Sequence, residues 1–141
     1  MRSAYIIFAV TCLTAACGSS TPTSPSSSST PSAATERFDA IIEPGTSAFY
    51  SFSVNQNGGS IAINLASLSP LNGPGLLPSV VEIGYGVPEG EGCNLLKVVQ
   101  TAPGLTAQLT DTVNTGTYCA NIADVGGLNQ PANFSIRISH P

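Results

Sequence analysis

The chain has 141 residues, four cysteines, no tryptophan and only 9% charged residues. Beyond the leading segment that contains Arg2, eight acids face three scattered cations, Arg37, Lys97 and Arg137, for a net charge of −5. Nucleic acid demands clustered Lys and Arg, and anionic membrane surfaces demand a basic face, so the composition argues against both for the folded part.

The first element is a signal peptide over residues 1–16. Met1-Arg2-Ser3 is a basic start, Ala4 to Leu13 is a short apolar run, and Thr14-Ala15-Ala16 is a small-residue cleavage site. The apolar run is about half of the roughly 20 residues that a membrane-spanning helix needs. The residues Leu13-Thr14-Ala15-Ala16-Cys17 resemble the lipobox of bacterial lipoproteins. That likeness implies that Cys17 is acylated and becomes the new N-terminus, so that the membrane is reached through a lipid anchor. Gly18 at the next position, rather than Asp, implies onward sorting to an outer membrane where one exists. Taken without the likeness, Thr14-Ala15-Ala16 also suits ordinary secretion.

Residues 17–35 follow as a linker. From Gly18 to Thr35, 15 of 18 residues are Ser, Thr or Pro, with no charge and no large apolar side chain. Such a segment cannot bury enough surface to offset the entropy of ordering, so it is expected to be a disordered tether. Its root-mean-square reach is roughly 25 Å.

Residues 36–141 form one domain by length. Apolar side chains there recur with period two, which marks half-buried strands. Phe38, Ala40 and Ile42 point one way, and so do Ala48, Tyr50, Phe52 and Val54. Ile61, Ile63 and Leu65 follow, then Val81, Ile83, Tyr85 and Val87. Leu105, Ala107 and Leu109 give a further candidate, then Tyr118, Ala120 and Ile122, and lastly Phe134, Ile136 and Ile138. Leu95 to Gln100 is a weaker eighth. No segment carries a helical stripe. Pro44-Gly45, Asn57-Gly58-Gly59, Asn114-Thr115-Gly116 and Gly126-Gly127 punctuate the runs, and Asn57-Gly58-Gly59 reads as a hairpin. Ser69 to Ser79, rich in Pro and Gly, suits a crossing between sheets. The expected fold is all-β: an antiparallel β-sandwich or jelly roll of seven or eight strands.

Cysteine arithmetic agrees with export. Cys12 is lost with the signal and Cys17 is taken by lipid, leaving Cys93 and Cys119 as a pair in an oxidising compartment. Two cysteines without a nearby histidine are too few for zinc. The disulfide is therefore expected. Cys119 falls out of phase with Tyr118, Ala120 and Ile122, so it should project away from the core or sit at a sheet edge. Cys93 ends the Gly-rich Pro88–Gly92 loop, which is flexible enough to reach it and would hold Glu89 and Glu91 beside any binding surface.

A broader likeness runs through the domain. Glu43-Pro44-Gly45 precedes Ala48-Phe49-Tyr50-Ser51-Phe52-Ser53-Val54, then come Gly59-Ser60-Ile61-Ala62-Ile63, Gly116-Thr117-Tyr118-Cys119-Ala120-Asn121-Ile122 and Phe134-Ser135-Ile136-Arg137-Ile138. This order resembles the bacterial pre-peptidase C-terminal domain and implies a non-catalytic β-sandwich. The family's acidic middle strand reads Val80-Val81-Glu82-Ile83-Gly84-Tyr85 here, so no calcium role carries over.

Catalytic chemistry finds little support. The single histidine, His140, lies one residue from Pro141, where chains commonly fray. Glu89-Gly90-Glu91 offers two carboxylates, and Asp111 or Asp124 could join them around calcium, but no EF-hand spacing is present. No metal or cofactor is expected. The function expected is a non-catalytic cell-envelope lipoprotein presenting a tethered domain for structural or protein interaction. The alternative is a glycan-binding module. Tyr50, Tyr85 and Tyr118 all fall in the inward phase, leaving only Phe49 outward for stacking on sugars.

Overall fold

The computed structural model describes residues 33–141. The proposed signal peptide, Cys17 and nearly all of the linker lie outside the described residues. Eight strands follow in chain order: β1 (Ala34–Ile42), β2 (Ser47–Val54), β3 (Gly59–Pro70), β4 (Val81–Glu89), β5 (Gly92–Thr101), β6 (Leu109–Val113), β7 (Gly116–Ala123) and β8 (Ala132–His140). β1 begins two residues before 36, with Ala34 and Thr35 paired to His140 and Ser139. Every pairing is antiparallel.

The strands form two four-stranded sheets, ordered β1-β8-β3-β6 and β2-β7-β4-β5. The pairs nest: β1 with β8, β2 with β7, β3 with β6, and β4 with β5. A single long hairpin folded at β4–β5 and rolled on itself gives this order, which is the jelly roll. It follows that only β4 and β5 are both consecutive and hydrogen-bonded to each other. Asn57-Gly58-Gly59 therefore does not close a hairpin. It carries the chain from β2 in one sheet to β3 in the other. Turn chemistry reports that the chain reverses, not which strand it then joins. Here Asn57 Oδ1 accepts from the Thr115 backbone N (3.0 Å) and hydroxyl (2.9 Å), tying this turn to the parallel crossing between β6 and β7.

One strand is displaced from its expected place. The alternation Leu105, Ala107, Leu109 belongs mostly to a loop, and Leu105 is 100% exposed. Gly104 and Gln108 donate to the Leu65 and Ile63 carbonyls at 2.9 and 3.1 Å, so this loop lines the edge of β3. The strand proper starts at Leu109, and Leu109, Asp111 and Val113 are its inward residues. Val87, expected inward with Val81, Ile83 and Tyr85, is exposed because β4 runs out past the core toward the Glu89–Gly92 turn. Phe52, Ile61, Ile63, Ile122, Phe134 and Ile136 are buried between the sheets, and Tyr50 and Tyr118 pack half-buried against them.

Each open side of the sandwich is closed by a carboxylate and a tyrosine from opposite sheets. On the β1–β2 side, Tyr50 donates its hydroxyl to Glu36 Oε2 at 2.6 Å. On the β5–β6 side, Tyr85 donates to Asp111 Oδ2 at 2.9 Å, and Lys97 Nζ lies 3.2 Å from the same oxygen. Burial, with help from Asp111, pushes the Tyr85 hydroxyl up to about 12. The Thr112 backbone N–H, then Tyr85 and Lys97, hold Asp111 below its ordinary value.

Asp124 organises the opposite loops. Its Oδ1 accepts from the backbone N of Gly126, Gly127 and Leu128, and its Oδ2 from Gly45, all at 2.9–3.1 Å. Burial raises its pKa, but the four N–H donors outweigh that and leave it lowered. A depressed folded-state pKa means a contribution that is complete above the unfolded pKa and lost as pH falls through the folded value. Asp124→Ala is expected to cost about 2 kcal/mol at neutral pH. The penalty should shrink below about pH 4, where the unfolded-state carboxyl takes up a proton before the folded one does. Urea titrations of both proteins at neutral and acid pH measure it, and an equal gap at both would contradict the assignment.

Candidate functional site

The β4–β5 ribbon departs from a flat sheet. Gly84 and Gly86 fall at outward positions of β4, where they leave the face bare. A Cβ on Gly84 would sit 2.8 Å from the Lys97 carbonyl oxygen, and one on Gly86 would run into the Asn94 carbonyl. The start of β5 thus lies across the outer face of β4, at a distance only glycine allows. A register shift between Tyr85 and Gly86, with Leu96 as the extra residue, supplies the local bend.

This fold-over brings Cys93 on β5 to Cys119 on β7, although β4 separates the two strands in the sheet. Their Cα atoms are 6.0 Å apart and the disulfide is formed. Cys119 keeps the outward phase expected for it, alongside Thr117 and Asn121. It is nevertheless fully buried, because the ribbon covers it. Cys93 does not sit on a flexible loop. Glu89 pairs with Gly92, and the two residues between them, Gly90 and Glu91, make a tight turn. Gly90 has φ 58° and the residue after it does not share the positive φ, the pattern of a type II′ hairpin.

Glu89 and Glu91 flank Gly90 at the tip of this ribbon. Both are exposed, and neither has an ion-pair partner among the described residues. The ribbon also exposes Val87, Leu95, Val98 and, at 60%, Leu96. Among the described residues, no strand pairs with the far side of β5. An unpaired edge presents free backbone N–H and C=O groups to any extended segment that approaches. Lys97 adds no positive charge for a ligand, since Asp111 and the Thr110 carbonyl hold its ammonium. The site is therefore an apolar edge with an acidic end, fixed by a disulfide.

The other candidate residues lie apart from it. Asp111 and Asp124 are engaged as described above and do not meet Glu89 or Glu91. His140 is not frayed. It closes β8, is 4% exposed, places Nε2 at 2.9 Å from Glu36 Oε1 and packs its ring 5.3 Å from that of Phe52. Its other ring nitrogen faces the Pro141 carbonyl, and no described serine hydroxyl hydrogen-bonds it. Among the described residues, no group of three or more His, Cys, Asp or Glu could hold a metal ion. Cys17 lies outside the described residues. Sequence reasoning missed the fold-over, though Gly84 and Gly86 at two successive outward positions were its signal: a strand face without side chains invites another strand to cover it.

No protein-family model matches the chain, and no curated protein matches it.

Proposed function

We propose that this chain is a non-catalytic lipoprotein of the bacterial cell envelope, anchored through acylated Cys17, that presents its jelly roll on the Ser/Thr/Pro linker to a protein partner. The observation that carries this reading is the order in the sequence: basic start, ten-residue apolar run, Thr14-Ala15-Ala16, Cys17, then an uncharged tail. The Cys93–Cys119 disulfide supports an oxidising compartment. The all-β sandwich suits the likeness to pre-peptidase C-terminal domains. The β5 ribbon favours a protein as partner, because a free apolar edge next to two unpaired carboxylates complements an extended segment with apolar and basic residues.

The test is fractionation of cells expressing the full chain and its Cys17→Ser variant. Wild type is expected in the detergent-soluble membrane fraction, with an intact mass that fits cleavage before Cys17 plus acyl chains. The variant is expected to lose most of its membrane association or to keep its signal peptide. Equal partitioning of the two proteins would overturn the lipoprotein reading.

A further inference from the structure

The outer face of the β1-β8-β3-β6 sheet holds an arrangement that folding does not explain. In the register of β1 and β8, Arg37 stands directly opposite Arg137, Asp39 opposite Ser135, and Ile41 opposite Asn133. Two of the three cations among the described residues thus share one cross-strand pair. Like charges placed directly opposite destabilise a sheet. Eight acids were available to answer them, and only Asp39 does.

The two arginines are unequal. Arg37 is held through Nε, which donates to Asp39 Oδ1 at 2.9 Å and to Ser135 Oγ at 3.1 Å. Ser135 is itself only 5% exposed, so this support is firm. The terminal nitrogens of Arg37 make no hydrogen bond to the described residues. Arg137 is exposed and has neither an ion pair nor a side-chain hydrogen bond among them. Two arginines with open donors, paired across adjacent strands of a rigid sheet, suit a planar oxyanion.

A shallow groove of about 420 Å³ runs beside Arg37, lined by Arg37, Asp39, Ile41, Ser67, Asn133 and Ser135, and Arg137 stands across the β1–β8 ladder from Arg37, outside that lining. Ser135 and Arg37 keep the Asp39 carboxyl below its ordinary pKa, so it is ionised and only accepts hydrogen bonds. Asp39 therefore repels a bare phosphate or sulfate but accepts hydroxyl donors, and Asn133 and Ser67 both donate and accept. The ligand that satisfies the whole set carries an acid group and several hydroxyls together. A lipid headgroup surface is further disfavoured by the net charge of −5.

We propose that this face binds an acidic saccharide, with its carboxylate or sulfate on Arg37 and Arg137 and its hydroxyls on Asp39, Asn133 and Ser67. The proposal adds a ligand site on the sheet that does not contain β5 and does not depend on the membrane anchor. The test is calorimetric titration of the purified full chain with tri-galacturonate, a chondroitin sulfate hexasaccharide and neutral galactotriose, followed by competition with inorganic phosphate. Saturable binding of the uronide or the sulfated probe is expected, the two arms separating carboxylate from sulfate, with none for galactotriose. Arg137→Gln should weaken binding by about tenfold, the size of one lost charge-assisted contact. Asp39→Ala decides between a saccharide site and a plain anion site. It removes the charge together with both acceptor oxygens, so it should tighten phosphate at a plain anion site but weaken the uronide at one that needs a hydroxyl acceptor. Both variants alter exposed side chains and should keep the parent's unfolding midpoint. Absence of binding by either acidic probe at millimolar concentration would overturn the proposal. So would equal displacement by phosphate, or tighter uronide binding by Asp39→Ala.

Discussion

Replacing both Cys93 and Cys119 with Ala is expected to destabilise the domain by about 3.5 kcal/mol on the chain-entropy model. For a domain of this size that lowers the unfolding midpoint by roughly 10–15 °C. The bridge closes a separation of 26 residues, so the unfolded chain gains considerable freedom when it is cut. The native state also changes, because the bridge keeps the start of β5 folded over Gly86. Without it, amide exchange should rise over Gly92–Leu96 before it rises in β3 or β8. Gly86→Ala probes the same contact from the other side: its methyl collides with the Asn94 carbonyl and should lift the ribbon with the disulfide intact. Thermal scans with and without reductant, with exchange followed by mass spectrometry, measure these effects. An unchanged midpoint in the double variant would show that the ribbon holds itself down.

The second large effect belongs to the core. Ile136→Ala should cost about 3–4 kcal/mol, and Phe52→Ala about 3–5 kcal/mol. Ile136 is fully buried at the centre of its sheet, with Phe38 opposite it on β1 and Leu65 opposite it on β3. Neighbours on both sides prevent the sheet from collapsing into the space left behind. Phe52 packs between Tyr118 and His140, 6.1 and 5.3 Å between ring centroids, so its loss also loosens the Glu36–His140 contact. Total stabilities of small domains are only about 5–15 kcal/mol, so either variant should be visibly fragile. Urea unfolding followed by tyrosine fluorescence reads the loss directly. A cost under about 1 kcal/mol for Ile136→Ala would contradict its place in the core.

Fold class was legible because period-two alternation survives in most strands. Tyr50, Phe52, Ile61, Ile63, Ile122 and Ile136 all sit on the side their phase assigned. Phase failed at Leu105, where a loop held to β3 by two hydrogen bonds happened to alternate. It was weak in β5, whose apolar residues face several ways around the bulge at Leu96. Partnership of strands was not legible at all, since Asn57-Gly58-Gly59 looks the same whether it closes a hairpin or crosses between sheets. The disulfide could be deduced by elimination, but the burial of Cys119 could not, because a third strand covers it. The tyrosine–carboxylate clamps were half visible: Glu36 and Asp111 share the inward phase of apolar neighbours, and acids in that phase need a partner. The pairing of Arg37 with Arg137 needed the register of two strands that lie 100 positions apart in sequence.

The rolled hairpin also sets how this domain meets mechanical load. Ala34 lies beside His140, and Asn55 donates to the Pro141 carbonyl, so β1 starts at the end of the sandwich where β8 finishes. The Glu89–Gly92 turn points toward that end as well, while residues 43–46, 71–80 and 124–131 crown the other. A pull applied at Ala34 and resisted at the crown runs along the strands. The nine paired positions of β1 and β8 then bear it together in shear. The same pull resisted near the Glu89–Gly92 turn meets no such length of ladder, and β1 peels from β8 one pair at a time, beginning at Ala34. A single domain is thus stiff toward one grip and yielding toward another, and the place where a partner holds it selects which.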